Sequence, residues 1–480
     1  MKHPSKWSIF GLLAVAQFMV VLDVSIANIA LPAIKEALHF SQSGLQWVIT
    51  AYALTFGGFL LLGGRAADLF GRKQVLLTGM IAFTLLSLLI GLSQSAVMLV
   101  VLRALQGMAA ALMSPAALSF VLTLFKEGEE RNRALAMWTN VATGGAAVGL
   151  LLGGVLSQYM SWHWNFFINV PIGALVAYGI YKTVPKEASQ ADHKDLDLPG
   201  AVLVTGGLMT LVFAFTQAPV WGWLSAGTLS LFALGLGLIG GFIANEKRSK
   251  HPLMPLSIFK IRNVTGANVM MMPMMAAMMG MFFLLSLYLS GVLGYSLVMT
   301  GLAFLPFPII LSIVSTRVSK VVSKFGYKPF LIAGPAIVGL AFLWLLRLPV
   351  HGNYLTDLLP VIVLIPAGMG MTFMPVMAAA TAGVPRHEAG LASGLISTSQ
   401  QMGGALGLAV LSGIAASVAL AATNLAPIEA LVRGYKQAFL AGVVFVLSSM
   451  VLAAVVIKQP KRQKEAGEKM QLATETASVH

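Results

Sequence analysis

Ser8–Pro32 reads SIFGLLAVAQFMVVLDVSIANIALP, and its single charged side chain is Asp23. About 20 apolar residues in a helix cover the hydrocarbon core of a bilayer. In lipid the backbone must satisfy its own hydrogen bonds, so a run of this kind is a membrane helix. The basic MKHPSK precedes it, and no small-residue cleavage pattern follows. The stretch therefore reads as a first span rather than a cleaved signal peptide.

Working outward, comparable runs recur near 45–64, 75–94, 97–124, 135–159, 164–181, 198–217, 224–244, 264–290, 297–317, 329–347, 357–378, 389–421 and 436–457. The expectation is an all-α polytopic membrane protein with 14 transmembrane spans. Composition agrees: 58% of the 480 residues are hydrophobic and 10% are charged. Soluble domains carry about 25% charged residues, so this chain lacks the polar surface that water requires. It has no cysteine, which excludes disulfides, thiolate metal sites and cysteine nucleophiles.

The net charge of +14 lies in short clusters between the apolar runs, a pattern of loops and not of a nucleic-acid face. With fourteen spans, 26 of the 31 Lys and Arg fall on the side of the termini and 4 on the other, with Arg103 inside a span. By the positive-inside rule both termini are cytoplasmic in a cell membrane.

The chain also echoes itself. GRAADLFGRK (Gly64–Lys73) follows span 2 and SKVVSKFGYK (Ser319–Lys328) follows span 10. TGGAAVG (Thr143–Gly149) lies in span 5 and MGGALG (Met402–Gly407) in span 13. Two pseudo-symmetric six-helix bundles are expected, at 1–190 and 256–458. An inserted pair, spans 7 and 8, lies within 191–255, joined through Trp221 and Trp223, and residues 459–480 form a disordered cytoplasmic tail. Paired halves of this kind place a substrate site between them near the membrane midplane.

Ionisable groups inside a membrane are costly and are functional candidates for that reason. Asp23 is the one acid well inside a span, and Arg103 the one deep base. At 1.5 Å per residue, Asp23 lies about 14 Å and Arg103 about 10 Å below the same outer surface. If spans 1 and 4 are neighbours, the two can pair and share Gln106. Burial opposes the carboxylate charge and a nearby base supports it, so such an acid can exchange a proton or a cation. A permanent ion pair that only locks the helices together is the alternative. Gln17, Asn28, Gln106, Asn140 and Gln400 are candidate cavity residues. So are Met271 and Met275 from the run MMMPMMAAMMGMFF (Met270–Phe283), since methionine adapts to varied shapes. The alternative is packing against lipid or other helices for the methionines, which fall on all helix faces, and polar interhelical packing for the others.

These stretches resemble the fourteen-span drug/proton antiporter branch of the major facilitator superfamily. LDVSIANIALP (Leu22–Pro32) is similar to its span 1 signature. GRAADLFGRK is similar to its loop 2–3 motif, with Gly64, Asp68, Gly71, Arg72 and Lys73 in place. LVVLRALQGMAAA (Leu99–Ala111) resembles its span 4 motif, and SWHWNFFINVPIG (Ser161–Gly173) and GLASGLISTSQQMGGALGLA (Gly390–Ala409) resemble spans 6 and 13. The resemblance implies proton coupling through Asp23 and Arg103. It also implies a cytoplasmic latch of Gly64, Asp68, Gly71, Arg72 and Lys73 towards span 11. The span 5 glycine motif maps to Gly145, Gly149, Gly153 and Gly154, but Leu150 stands at the usual proline. His163 stands where arginine is common, and Ser323 replaces the acid of the second loop motif.

No phosphate-cradling GxxxxGK[ST], HExxH or GxSxG occurs, which argues against ATP drive and hydrolytic catalysis. The expected protein is not an enzyme and needs no cofactor. It is a monomeric, proton-coupled exporter of lipophilic, cationic drugs or antibiotics. Transport of one metabolite or lipid, or a non-transporting receptor or scaffold, is the alternative.

Overall fold

The computed structural model describes residues 5–125, 129–184, 197–249, 252–253, 256–382, 384 and 389–459. All regular structure among them is helical. The long helices are α1 (Lys6–Ala37), α2 (Trp47–Phe70), α3 (Arg72–Gly91), α4 (Ala96–Leu124) and α5 (Glu129–Tyr159). Next come α6 (Trp164–Thr183), α7 (Leu198–Trp221), α8 (Ala226–Arg248), α9 (Arg262–Leu287) and α10 (Leu297–Val322). The last are α11 (Lys328–Leu345), α12 (Leu359–Thr381), α13 (Ala389–Ala421) and α14 (Pro427–Val456).

Thirteen of these fourteen are long and apolar enough to cross a membrane. The remaining one, α5, is 31 residues long, and its apolar part is Gly144–Tyr159. The loops that carry the expected boundaries at 190 and 255 lie outside the described residues, as does the tail beyond Gln459.

Local chemistry sets the helix ends. Ser5, Ser95, Asp197, Ser225 and Ser296 each accept the backbone N–H three residues on, capping α1, α4, α7, α8 and α10. The turns after α2 and α10 both rest on glycine in the left-handed region, Gly71 at φ 89° and Gly326 at φ 74°. A side chain is strained there. The echo between FGRK and FGYK is thus a repeated turn.

Packing repeats as well. In the first six helices α2 lies on α4, α1 on α5, α3 on α4 and α6, and α4 and α6 on α1. In the last six, α10 lies on α12, α9 on α13, α11 on α12 and α14, and α12 and α14 on α9. The bundles meet along two seams, α2 with α13 and α5 with α10. The insert covers one of them: α7 packs on α2 and α13, and α8 packs on α7. Buried Gln46, just before α2, donates to Thr216 of α7 and accepts from Ser412 of α13, tying all three parts together.

The two ends of the molecule differ. Away from the termini, both bundles share one apolar cluster, with Ile29, Ile34 and Val48 from the first and Met278, Leu284 and Phe304 from the second. Towards the termini the bundles keep separate cores. Phe10, Leu76, Met80 and Phe120 belong to one, and Tyr327, Leu331, Val376 and Ile396 to the other. The bundles are sealed together at the far end, and at the terminal end their main cores divide, with Leu61 of α2 packed against Ala392 and Leu395 of α13.

Candidate functional site

The side chains of Asp23 (α1), Arg103 and Gln106 (α4) and Asn169 (α6) meet inside the first bundle, each 0% exposed. Arg103 Nη1 donates to Asp23 Oδ2 at 2.5 Å and to Gln106 Oε1 at 2.6 Å, and Nε donates to the Val48 carbonyl at 3.0 Å. Gln106 Nε2 donates to Asp23 Oδ1 at 3.0 Å and to Ser87 Oγ of α3 at 2.9 Å. Asn169 Nδ2 donates to the same Asp23 oxygen at 3.0 Å. The carboxylate thus accepts from three groups on two helices. The guanidinium also lies 4.4 Å from the ring centre of Tyr52 and 5.8 Å from that of Phe166, within cation–π range.

Local sequence explains how the helices around this cluster pack so closely. Gly107 lets α4 approach α2: a Cβ there would fall 2.3 Å from the Tyr52 carbonyl oxygen. On the other side of α1, the span 5 glycines form a smooth face. A Cβ on Gly149 would sit 2.6 Å from Ser25 Cβ, and one on Gly153 3.1 Å from Ile26 Cα. Gly145 faces Phe18 in the same row, while Gly154 turns to α10, where a Cβ would meet the Leu297 carbonyl oxygen at 2.7 Å. The second half repeats the device. Gly403 and Gly407 of α13 abut Met272 and Ala276 of α9. Small residues four apart let helices approach closely in a membrane.

Other sequence candidates lie elsewhere. Gln17 accepts from Ser114 of α4 at 3.0 Å, and Asn28 donates back to the Val24 carbonyl of its own helix at 2.9 Å. Asp23 and Asn28 are about 140° apart around α1 at 100° per residue, so the acid turns into the bundle and away from that face. Asn140 is exposed, and Gln400 and Met275 are half-buried. Met271 is fully buried in the second bundle, in one cluster with Tyr327 and Val376. Pro273 lies within α9, but close packing against α13 and α14 closes over most of its methionines.

Among the described side-chain contacts of loop 2–3, Lys73 Nζ donates to the carbonyls of Tyr181 and Val184 at 2.9 and 2.6 Å, capping the end of α6, and Arg72 donates to Thr123 of α4 at 3.3 Å. Both contacts stay in the first bundle, and neither reaches α11. A Cβ on Gly64 would meet Pro115 of α4 only at an ordinary 3.7 Å. The Asp68 side chain lies outside the described residues. At the far boundary, burial lowers His163 from its usual histidine range.

Sequence reading missed Asn169, Ser87 and the Val48 carbonyl. Asn169 had a legible signal, since it stands four residues after Asn165 on one helical face. Ser87 and Val48 had none.

The family model described as Major Facilitator Superfamily matches residues 13–408. The chain belongs to the major facilitator superfamily. This major facilitator protein is 38% identical to the puromycin resistance protein pur8 of Streptomyces alboniger, over 95% of this chain and 92% of that one. It is 38% identical to the cephamycin export protein CmcT of Amycolatopsis lactamdurans, over 92% and 90%. It is 34% identical to a lincomycin resistance protein of Streptomyces lincolnensis, over 85% and 84%. Its fold is similar to that of the POT family transporter PepTSo, with a TM-score of 0.69 at 14% identity, covering 97% of this chain and 99% of that one. This major facilitator protein is accordingly a multi-pass membrane transporter and not an enzyme.

Proposed function

We propose that this transporter exports lipophilic, cationic drug-like molecules in exchange for protons, with Asp23 as the carboxyl group that carries the proton. The buried cluster of Asp23, Arg103, Gln106 and Asn169 supports this most directly, because it places one acid out of bulk water among donors only. A proton arriving on Asp23 removes the charge that holds those donors. That loosens the link between α1 and α4 or α6, which is how protonation can bias a rocking motion. Because the acid faces into the bundle, a substrate couples to it through helix movement rather than by contact.

The positive-inside reading places the termini, and the divided end of the molecule, in the cytosol. The relatives named for antibiotic export or resistance support the substrate class. The working unit is a monomer. A single embedded acid implies low proton stoichiometry and faster transport of monovalent than divalent cations.

The test is efflux of a lipophilic cation from proteoliposomes under an imposed pH gradient. Asp23→Asn is expected to lose gradient-driven efflux at least tenfold while still binding substrate. Undiminished, gradient-dependent efflux by that variant overturns the assignment.

A further inference from the structure

Around Asp23 several buried polar atoms find no partner among the described residues. Asn169 uses its amide nitrogen on Asp23, and its Oδ1 is unpartnered. One turn earlier, Asn165 donates to Ser157 of α5 at 2.5 Å, and its Oδ1 is unpartnered too. Trp162 Nε1, Tyr52 Oη and Arg103 Nη2 share that condition. All five side chains are at most 4% exposed.

The side chains that carry them form one strip of neighbours, with Asn169 joined to Arg103 through Asp23. Trp162 meets Phe166 edge-on at 6.2 Å between ring centres, Phe166 lies 5.8 Å from the Arg103 guanidinium, and Arg103 lies over Tyr52. An unsatisfied buried polar group costs about 1–3 kcal/mol, so five in one strip are a heavy load. Internal water relieves such groups, typically with about three hydrogen bonds each. The strip offers both donors (Trp162, Arg103) and acceptors (the two asparagine oxygens), as bridging waters require.

The strip also has a direction. Trp162 and half-buried Ser157 stand at the boundary opposite the termini, Asn165 lies in the first turn of α6, Asn169 lies one turn deeper, and Asp23 is at the end. At this boundary the two bundles are sealed by their shared apolar cluster. Trp162 stacks on His163 there, with 3.9 Å between ring centres.

We propose that Trp162, Asn165 and Asn169 hold a file of internal waters that carries protons to Asp23 from the surface opposite the termini, apart from the path of the substrate. The proposal rests on the reading of Asp23 as the proton carrier. The file opens when the far ends of the bundles part and Trp162 leaves His163, the same movement that closes the terminal end. Protons therefore enter from one side only. Each water accepts one proton and releases another. The last proton forms an O–H bond on the Asp23 carboxylate, whose ion pair with Arg103 becomes a neutral acid beside a cation. No electrons move.

The test uses the full chain in proteoliposomes with tetraphenylphosphonium as the lipophilic cation. Asn165→Leu removes the upper acceptor without touching Asp23. It is expected to slow gradient-driven efflux at least tenfold, to leave substrate exchange without net proton movement within twofold, and to be rescued by Asn165→Ser. Unchanged gradient-driven efflux by Asn165→Leu overturns the water file, while Asp23→Asn reports separately on the proton carrier. X-ray hydroxyl-radical footprinting of the wild type makes the file falsifiable even where the variant does not fold. Trp162 and Tyr52 are expected to be labelled by trapped water at several times the rate of buried Phe83. Labelling no faster than Phe83 sinks the proposal.

Discussion

In the first bundle α1 and α4 meet around Asp23 and Arg103, whereas the helices in the same places of the second bundle, α9 and α12, meet in an apolar cluster that includes Met274, Ala277, Ile365 and Met369. The packing order is shared, and so is the means of close approach, with Gly145 and Gly149 against α1 and Gly403 and Gly407 against α9. The scaffold therefore does not require charge at its centre. A buried ion pair adds little stability over well-packed apolar groups and is costly to break. Its presence in one bundle distinguishes the halves: one holds a buried ion pair at this place, and the other fills it with apolar side chains.

The largest expected effect comes from breaking the pair on one side. Arg103→Ala leaves Asp23 buried without its cation and is expected to cost about 3–5 kcal/mol, read as a large drop in thermal stability in detergent. Adding Asp23→Asn should recover much of the loss. If Arg103→Ala melts like the wild type, the contrast between the bundles fails.

The shared glycine device comes next. A Cβ on Gly407 would fall 2.1 Å from Ala276 Cα, while Gly144 has nothing within 4 Å. Gly407→Val is expected to cost about 1–3 kcal/mol by overpacking, and Gly144→Ala to leave the melting temperature unchanged. A similar result for Gly149→Val would extend the equivalence to α1 and α5.

The insert sharpens the comparison, because it covers the α2–α13 seam and not the α5–α10 seam. Gln46→Ala leaves Thr216 and Ser412 without their bridging partner and should cost about 1–3 kcal/mol. Crosslinking between engineered cysteines is expected to show looser contact at α2–α13 than at α5–α10. Equal loosening at both would deny α7 a local role.

The smallest effect concerns the two repeated turns. Lys73 caps α6 through two carbonyls, and a cation at a helix C-terminus contributes about 0.3–1 kcal/mol. Lys73→Ala should lower the melting temperature slightly, whereas Lys328→Ala, at the matching turn, should change stability by less than about 0.5 kcal/mol. A reversed order would show that the repeat is functional in the opposite half.

By itself the sequence determined the number and order of the helices, because a bilayer demands long apolar runs with internally satisfied backbones, and these are plain to read. It also isolated Asp23 and Arg103, since charge within such runs is rare, and it marked the repeated turn at Gly71 and Gly326, where backbone conformation restricts the residue. Only the tertiary structure decided which way those groups face. It turned Asp23 into its own bundle, enlisted Asn169, Ser87 and the Val48 carbonyl as partners, and closed Met271 into a core. Apolar helices look alike on every side in sequence, and without water to distinguish inside from outside, the neighbour that each face meets is chosen by close packing of side chains far apart in the chain.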